Sequence, residues 1–347
     1  MQSEMLSMCF GGLTPCHELV ESVLDPSDGS EKRVLDLGSG SGIWCVEMAK
    51  KFPHAEVLGV DLVSPRLENP PRNCRFEVHD INDGLSKFYG TFDVVHARFI
   101  DSGLKDHHKF MLDAERCLKP GGVFVVICAS HLLTEDDTPY PPFTQANPQG
   151  SWFQRIFFVM ERGLKNQGNN MDISEGIFCE GLWNHKLLDR TSCRGAIFTP
   201  PIGLWASASD SHKNATIKKL GELWRNNLMT VNRHFEKGFL NAKRPAEEYP
   251  LYGPNIDEEL LQDRHRSLMQ VRALWGQSHG KNYKVSETFE GGASSSEGGF
   301  TLATIYSDQV QWGNRLSSYR ANFTPEMKAL INDSSFDVLK HHYEAEL

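Results

Sequence analysis

The chain has 347 residues, 39% of them hydrophobic, which is more than one ordinary domain needs, so one large decorated domain or a core plus a cap is expected. Its formal charge of −9 would repel a polyphosphate surface, and the Lys and Arg residues are scattered rather than blocked, which argues against nucleic acid as a partner. Met1 to Phe10 carries no basic n-region and the longest strongly apolar run, Val123 to Ala129, is too short to cross a bilayer, so no membrane association and a cytoplasmic location are expected.

A helical segment is expected within residues 1–30, ahead of an alternation of apolar strand runs and helical periodicity from 33 to 129 that points to an α/β fold with a parallel, Rossmann-like sheet. Strands are predicted near 33–37, 56–61, 74–79, 92–96 and 123–129, with helices over about 42–52 and 106–118. The second helix is expected to stop at Leu118-Lys119-Pro120-Gly121-Gly122. Four prolines make 130–150 read as an irregular excursion, and Phe153, Ile156, Phe157, Met160 and Leu164 form a stripe at helical spacing. A further helix is expected over 172–190 and a strand near 193–199. From 206 to 280 the pattern is mostly helical: Ile217, Leu220, Trp224, Leu228, Val231 and Phe235 repeat at intervals of three and four, and Leu261, Leu268, Val271 and Trp275 suggest a partner helix. Residues 291–299 read as a low-complexity loop, Phe300 to Tyr306 as a final strand, and 325–345 carries helical signals. The expected organisation is an N-terminal helical segment (1–30), a ligand-binding core (31–205) with a helical insertion at 131–192, a helical cap (206–290), and a last core strand with a tail (291–347).

The chemistry concentrates at the first strand. Val34 to Leu37 leads into Gly38-Ser39-Gly40-Ser41-Gly42, whose glycines let the backbone turn tightly and approach a ligand. A dinucleotide fold needs Gly or Ala where Ile43 stands, so the dehydrogenase pattern fails. Asp36, at the strand end, would instead face a ligand amino or sulfonium group, which points to S-adenosylmethionine. Asp61 closes the run Val57 to Val60 and is placed to accept from ribose hydroxyls. Asp80 would take the adenine amino group, with Ile81 packing the ring, or it is a turn aspartate. Ala97 and Arg98, after the fourth strand, would pass near the methionine end or the acceptor; Arg98 reads equally as a surface ion pair.

His131, just past the fifth strand, would deprotonate an attacking hydroxyl or is a solvated histidine, while His96 reads as structural. Trp44 reads either as core or as a cofactor contact. Trp152, Phe153, Phe157, Trp183, Trp205 and Trp224 would line an apolar acceptor pocket or are plain core. Eight cysteines without CxxC spacing, and the companionless pairs His107-His108 and His341-His342, indicate no disulfide framework and no metal site.

Asp36-Leu37-Gly38-Ser39-Gly40-Ser41-Gly42-Ile43-Trp44, Glu56 to Leu62, Pro71 to Val78, Phe92 to Arg98 and Cys117 to Gly122 together resemble the class I S-adenosylmethionine-dependent methyltransferases of the fungal LaeA-like type, and Pro201-Ile202-Gly203-Leu204-Trp205 is similar to a segment of that family after the sixth strand. The resemblance implies a seven-stranded sheet with Gly38, Gly40, Gly42, Asp61 and Asp80 around the cofactor. The candidate cofactor residues are then Asp36, Gly38, Ser39, Gly40, Gly42, Asp61, Leu62, Asp80, Ile81 and Ala97, and the candidate catalytic residues are His131 and Arg98. The leading expectation is an enzyme that methylates an oxygen or nitrogen of a small apolar or aromatic secondary metabolite. A regulator of secondary metabolism working through protein partners, and nuclear in location, is the alternative. A fold that uses the bound cofactor only as a cation to assist another reaction is a third.

Overall fold

The computed structural model describes residues 2–135, 138–144, 146–169, 178, 180–208, 211–280, 303–312 and 315–316. Its centre is a sheet whose inner strands are continuous apolar runs because both of their faces are covered. β1 (Lys32–Leu37) lies between β2 (Ala55–Asp61) and β4 (Phe92–Arg98), and β3 (Cys74–Val78) flanks β2, all in parallel. β5 (Leu118–Glu135) follows β4 in parallel, and its far end folds back on the short β6 (Thr138–Pro139). The spatial order is β3-β2-β1-β4-β5-β8-β7-β9, with β7 at Arg194–Phe198, β8 at Leu268–Gln277 and β9 at Ala303–Tyr306. β8 runs antiparallel to both β5 and β7, and β9 runs antiparallel to β7. The strand order reverses between β1 and β4, which opens a crevice at their carboxyl ends.

The first five strands and the helices α3 (Ile43–Lys51) and α4 (His107–Arg116) fall within a few residues of the expected positions. The largest correction concerns Leu268, Val271 and Trp275. They belong to strand β8, not to a helix pairing with Leu261, and they fill the sheet between β5 and β7. Leu268 to Gln277 is buried along nearly its whole length, and such a run reads the same way in a buried helix as in a buried strand. The described sheet has nine strands rather than the seven implied by the resemblance, because β6 and β9 add to it. The excursion after β5 is more regular than its prolines suggest, since β5 continues to Glu135 and the chain turns back through β6. Residues 181–189, expected to be helical, form turns. The expectations for 172–177, 291–299 and 325–345 lie outside the described residues.

One sheet face is covered by α1 (Gln2–Phe10), α2 (His17–Val23), α3, α5 (Trp152–Asn166), α6 (Ser211–Asn232) and α8 (Tyr249–Leu261), over a core that includes Val34, Trp44, Val57, Val125, Phe153, Trp224 and Tyr252. The opposite face is covered by α4 together with Phe178, Leu182, Trp183 and Trp312. In the helical layer α5 crosses the short α7 (Glu236–Asn241) so closely that a Cβ on Gly163 would lie 2.2 Å from the Gly238 carbonyl oxygen. The start of α5 is held by Glu259 of α8, which accepts from Ser151 Oγ at 2.5 Å and from Trp152 N at 2.7 Å. Gln154 of α5 then reaches the sheet, its Oε1 accepting from Leu133 N of β5 at 2.8 Å. Among the described residues no helix is long and apolar enough to cross a membrane.

Candidate active site

The bend after β1 is built by three glycines with positive φ: Gly38 at 75°, Gly40 at 54° and Gly42 at 72°. Any L-side chain is disfavoured in this region. Gly38 N and Ser39 N both donate to Val60 O at 2.9 Å, which pins the bend to β2, and Gly42 N donates to Ser39 O at 2.9 Å, which closes it against the start of α3. A Cβ on Gly38 would meet Ile100 Cγ2 at 2.3 Å, and one on Gly42 would meet the Phe76 ring at 2.7 Å, so these two glycines are needed by packing. A Cβ on Gly40 would meet nothing within 4 Å. Gly40 therefore turns its open side to the crevice, where a ligand would approach the backbone. Its N–H donates to Asp61 Oδ2 at 2.8 Å, while Asp61 Oδ1 accepts only a long bond from Val63 N at 3.3 Å.

Asp36 requires a correction. It does not face the crevice: the residue is buried, its Oδ1 accepts from His96 Nδ1 at 2.8 Å, and its Oδ2 accepts from Cys45 Sγ at 3.2 Å. Alternation along β1 aims it under α3, where the His96 ring lies stacked on Trp44 with centroids 3.9 Å apart and planes 9° from parallel. Burial pulls the His96 pKa below its ordinary value against the opposing pull of Asp36, so the imidazole is neutral and Nδ1 carries the proton. Arg98 is the last residue of β4 rather than the first beyond it, and it is half-buried. Burial lowers its pKa, opposed first by the charge of Asp36 and then by that of Glu47. Trp44 is core, with its Nε1 donating to Leu13 O at 2.8 Å.

The other candidates fall around the crevice. Ala97 is buried in β4, on the face opposite to His96. Leu62, beyond β2, is 64% exposed beside an exposed Val63, and Val78 at the end of β3 is exposed as well, so an apolar rim borders the bend. Asp80 Oδ1 accepts from both Asn82 N and Asn82 Nδ2 at 2.9 Å and caps a short turn that begins at Ile81. These bonds to the charged form hold its carboxyl below the usual carboxylate range. His131 lies within β5, two residues before Leu133. Of the aromatics considered for an acceptor pocket, Trp152, Phe153, Trp183 and Trp224 are buried in the core. A small apolar pocket lies elsewhere, between the β4–α4 connection and β5, with walls that include Ile100, Leu104, Phe110, Met111, Cys128 and Phe178. None of these six was singled out from the sequence. The available signal was position, since Ile100 and Leu104 follow a strand end at the switch point.

S-adenosylmethionine can be tested against this geometry. The open side of Gly40 admits a close ligand, and Asp61 is partly exposed with lone-pair capacity left for two vicinal hydroxyls. Ser39 Oγ is buried and has no hydrogen-bond partner among the described residues, a donor inside the bend that a polar ligand atom would satisfy. The exposed Leu62 and Val63 offer apolar surface to a flat ring. The residues present fit the cofactor. Among the described residues no group of three or more His, Cys, Asp or Glu could hold a metal ion.

Residues 14–171 match the family described as the methyltransferase domain. The chain is 46% identical over 105 residues to the secondary metabolism regulator laeA of Coprinopsis cinerea, an alignment that covers 30% of this chain and 26% of that protein. It is 35% identical over 111 residues to methyltransferase str3 of Strobilurus tenacellus, covering 31% and 40%. With methyltransferase pytC of Aspergillus terreus it shares 25% identity over 216 residues, covering 59% and 58%. The chain thus spans about a quarter to three fifths of the length of these relatives. The match includes β1 to β5, the glycine bend and Asp61.

Proposed function

We propose that the protein is an S-adenosylmethionine-dependent methyltransferase whose acceptor is an oxygen or nitrogen on a small, apolar or aromatic secondary metabolite. The observation that carries this reading is the joining of two strand ends: Asp61 at the end of β2 holds Gly40 N of the bend after β1, inside a region that matches the methyltransferase family. Bound S-adenosylmethionine supplies a methyl group on a sulfonium centre. The chain binds and aligns it: Asp61 takes the ribose hydroxyls, the Gly38–Gly42 bend lies along the ligand, Ser39 Oγ donates to a polar ligand atom, and Leu62 with Ile81 flanks the adenine. Such a displacement depends mainly on alignment and on exclusion of water. His131 is retained as the proton acceptor for a hydroxyl nucleophile, and an unchanged pH–rate profile in His131→Ala removes it from that role.

The test of cofactor binding is calorimetry with S-adenosylhomocysteine. Asp61→Asn keeps an oxygen for Gly40 N but removes the negative charge, so affinity is expected to fall about 10- to 100-fold, the range for hydrogen bonds to a charged group. Unfolding temperature should barely move. Unchanged affinity contradicts the assignment. A regulatory role through protein partners is favoured by the 46% identity to a protein named as a regulator. Transfer of a labelled methyl group in a cell extract separates the two readings, since label in the small-molecule fraction supports the metabolite enzyme and label confined to protein supports the regulator.

A further inference from the structure

Strand β3 ends the described sheet on one side: it pairs with β2, and no described strand lies beyond it. Two bonds fix the direction of its backbone groups, Val57 N donating to Asn73 O at 2.8 Å and His79 N donating to Asp61 O at 2.9 Å. Bonding residues alternate along a parallel strand, so Asn73, Arg75, Glu77 and His79 turn their backbone toward β2, whereas Cys74, Phe76 and Val78 turn theirs to the outer edge. Cys74 N is taken by Pro71 O at 2.9 Å, but the backbone N–H and C=O of Phe76 and Val78 meet no partner among the described residues.

Such an edge is a template for another strand, and charged side chains ordinarily keep copies of a protein from using it. Here the charges are ordered by sign about Phe76. Arg75, its side chain 70% exposed, stands before that residue and Glu77, 44% exposed, stands after it, both on the strand face opposite to Cys74 and Phe76. Set antiparallel about a two-fold axis through Phe76, two copies place each Arg75 directly opposite the other copy's Glu77. Phe76 then exchanges both backbone bonds with its counterpart, and Val78 N donates to the other copy's Cys74 O. Slipping by one repeat of the pleat sets Arg75 against Arg75 or Glu77 against Glu77, and in-register parallel pairing does both, so charge selects a single alignment. The bonds these side chains already make do not prevent it: Arg75 reaches Glu56 only at 3.5 Å, Lys87 meets Glu77 at the surface, and exposed pairs of this kind are weak. On the other face Val78, 61% exposed, comes to lie across from Cys74 and is covered.

We propose that the outer edge of β3 is a self-association surface, through which two copies of this chain join into one continuous sheet with Arg75 and Glu77 in reciprocal ion pairs. Sedimentation equilibrium of the full chain at micromolar concentration should give the mass of two chains, and the association should weaken as salt is raised. Arg75→Glu and Glu77→Arg each turn both attractive pairs of the dimer into repulsive ones, so either should weaken association about ten-fold while the unfolding temperature barely moves. The combined variant Arg75→Glu/Glu77→Arg exchanges the charges and should dimerise as the intact chain does, a recovery that a local disturbance of the edge does not give. The register has its own check. Arg75 and the other copy's Glu77 form a non-hydrogen-bonded pair, whose Cα atoms lie about 4.5 Å apart, within disulfide reach. The variant Arg75→Cys/Glu77→Cys should therefore cross-link into dimers on mild oxidation, and neither single cysteine variant should. An intact chain that stays monomeric, whether its edge is bare or covered by another segment of the same chain, overturns the proposal. So does a dimer indifferent to the single charge reversals, a combined charge variant that stays monomeric, or a double cysteine variant that fails to cross-link.

Discussion

His96, which reads as structural in the sequence, is held in the fold as a buried core imidazole. It lies in a strand beside the crevice, yet its ring is fully buried, bonded to Asp36 and stacked on Trp44. Because burial depresses its pKa below 6.5, the unfolded chain takes up this proton at higher pH than the native protein does. Its contribution to stability is therefore complete above 6.5 and is lost as pH falls below that value. His107, depressed chiefly by burial as well, acts in the same sense. The unfolding temperature should drop between about pH 7.5 and about pH 5.5, and His96→Gln, whose amide can still donate to Asp36, should show a shallower drop. An identical slope in calorimetric scans of the two proteins would locate the titration elsewhere. Asp36 was legible as a special residue but its direction was not, since one residue of alternation decides whether a strand carboxylate meets ligand or core.

At the scale of elements, the glycine bend separates packing from binding. Gly38 and Gly42 are required by Ile100 and Phe76, whereas Gly40 has open space where its Cβ would be. Gly40→Ala should thus cost only the left-handed backbone strain, about 1–2 kcal/mol, while the added methyl obstructs the ligand. The expected result is at least a ten-fold loss of S-adenosylhomocysteine affinity with a modest fall in unfolding temperature. Gly38→Ala, by contrast, should show the larger loss of stability, and the reverse order in thermal scans would reject the distinction. In the helical layer, Gly163→Val forces α5 off α7 at the Gly238 carbonyl and should destabilise by about 2–3 kcal/mol, read from denaturant midpoints. The glycines of the bend stand out in the sequence because they cluster after an apolar run. Gly163 does not, because its partner backbone arrives from a segment more than seventy residues away.

For the whole molecule, the N-terminal helices are part of the core rather than an appendage. Met5, Leu6, Phe10 and Val20 are buried in the same cluster as Trp44 and Trp224, and Lys219 of α6 pairs with Glu4 of α1 at 2.6 Å. Removing residues 2–24 should expose that apolar face and give a chain that binds a hydrophobic dye and lacks a cooperative unfolding transition. Retention of a sharp calorimetric peak would show that the core closes without them. The parallel half of the fold could be read directly from residues 33 to 129, because apolar runs, glycine turns and strand-end aspartates are local patterns set by backbone sterics and by burial on both faces. Only tertiary structure decided that Leu268 to Gln277 is the strand between β5 and β7 and that Asp36 belongs to His96. Each of these depends on segments far apart in the chain meeting across the sheet, and no pattern within one segment encodes its distant partner.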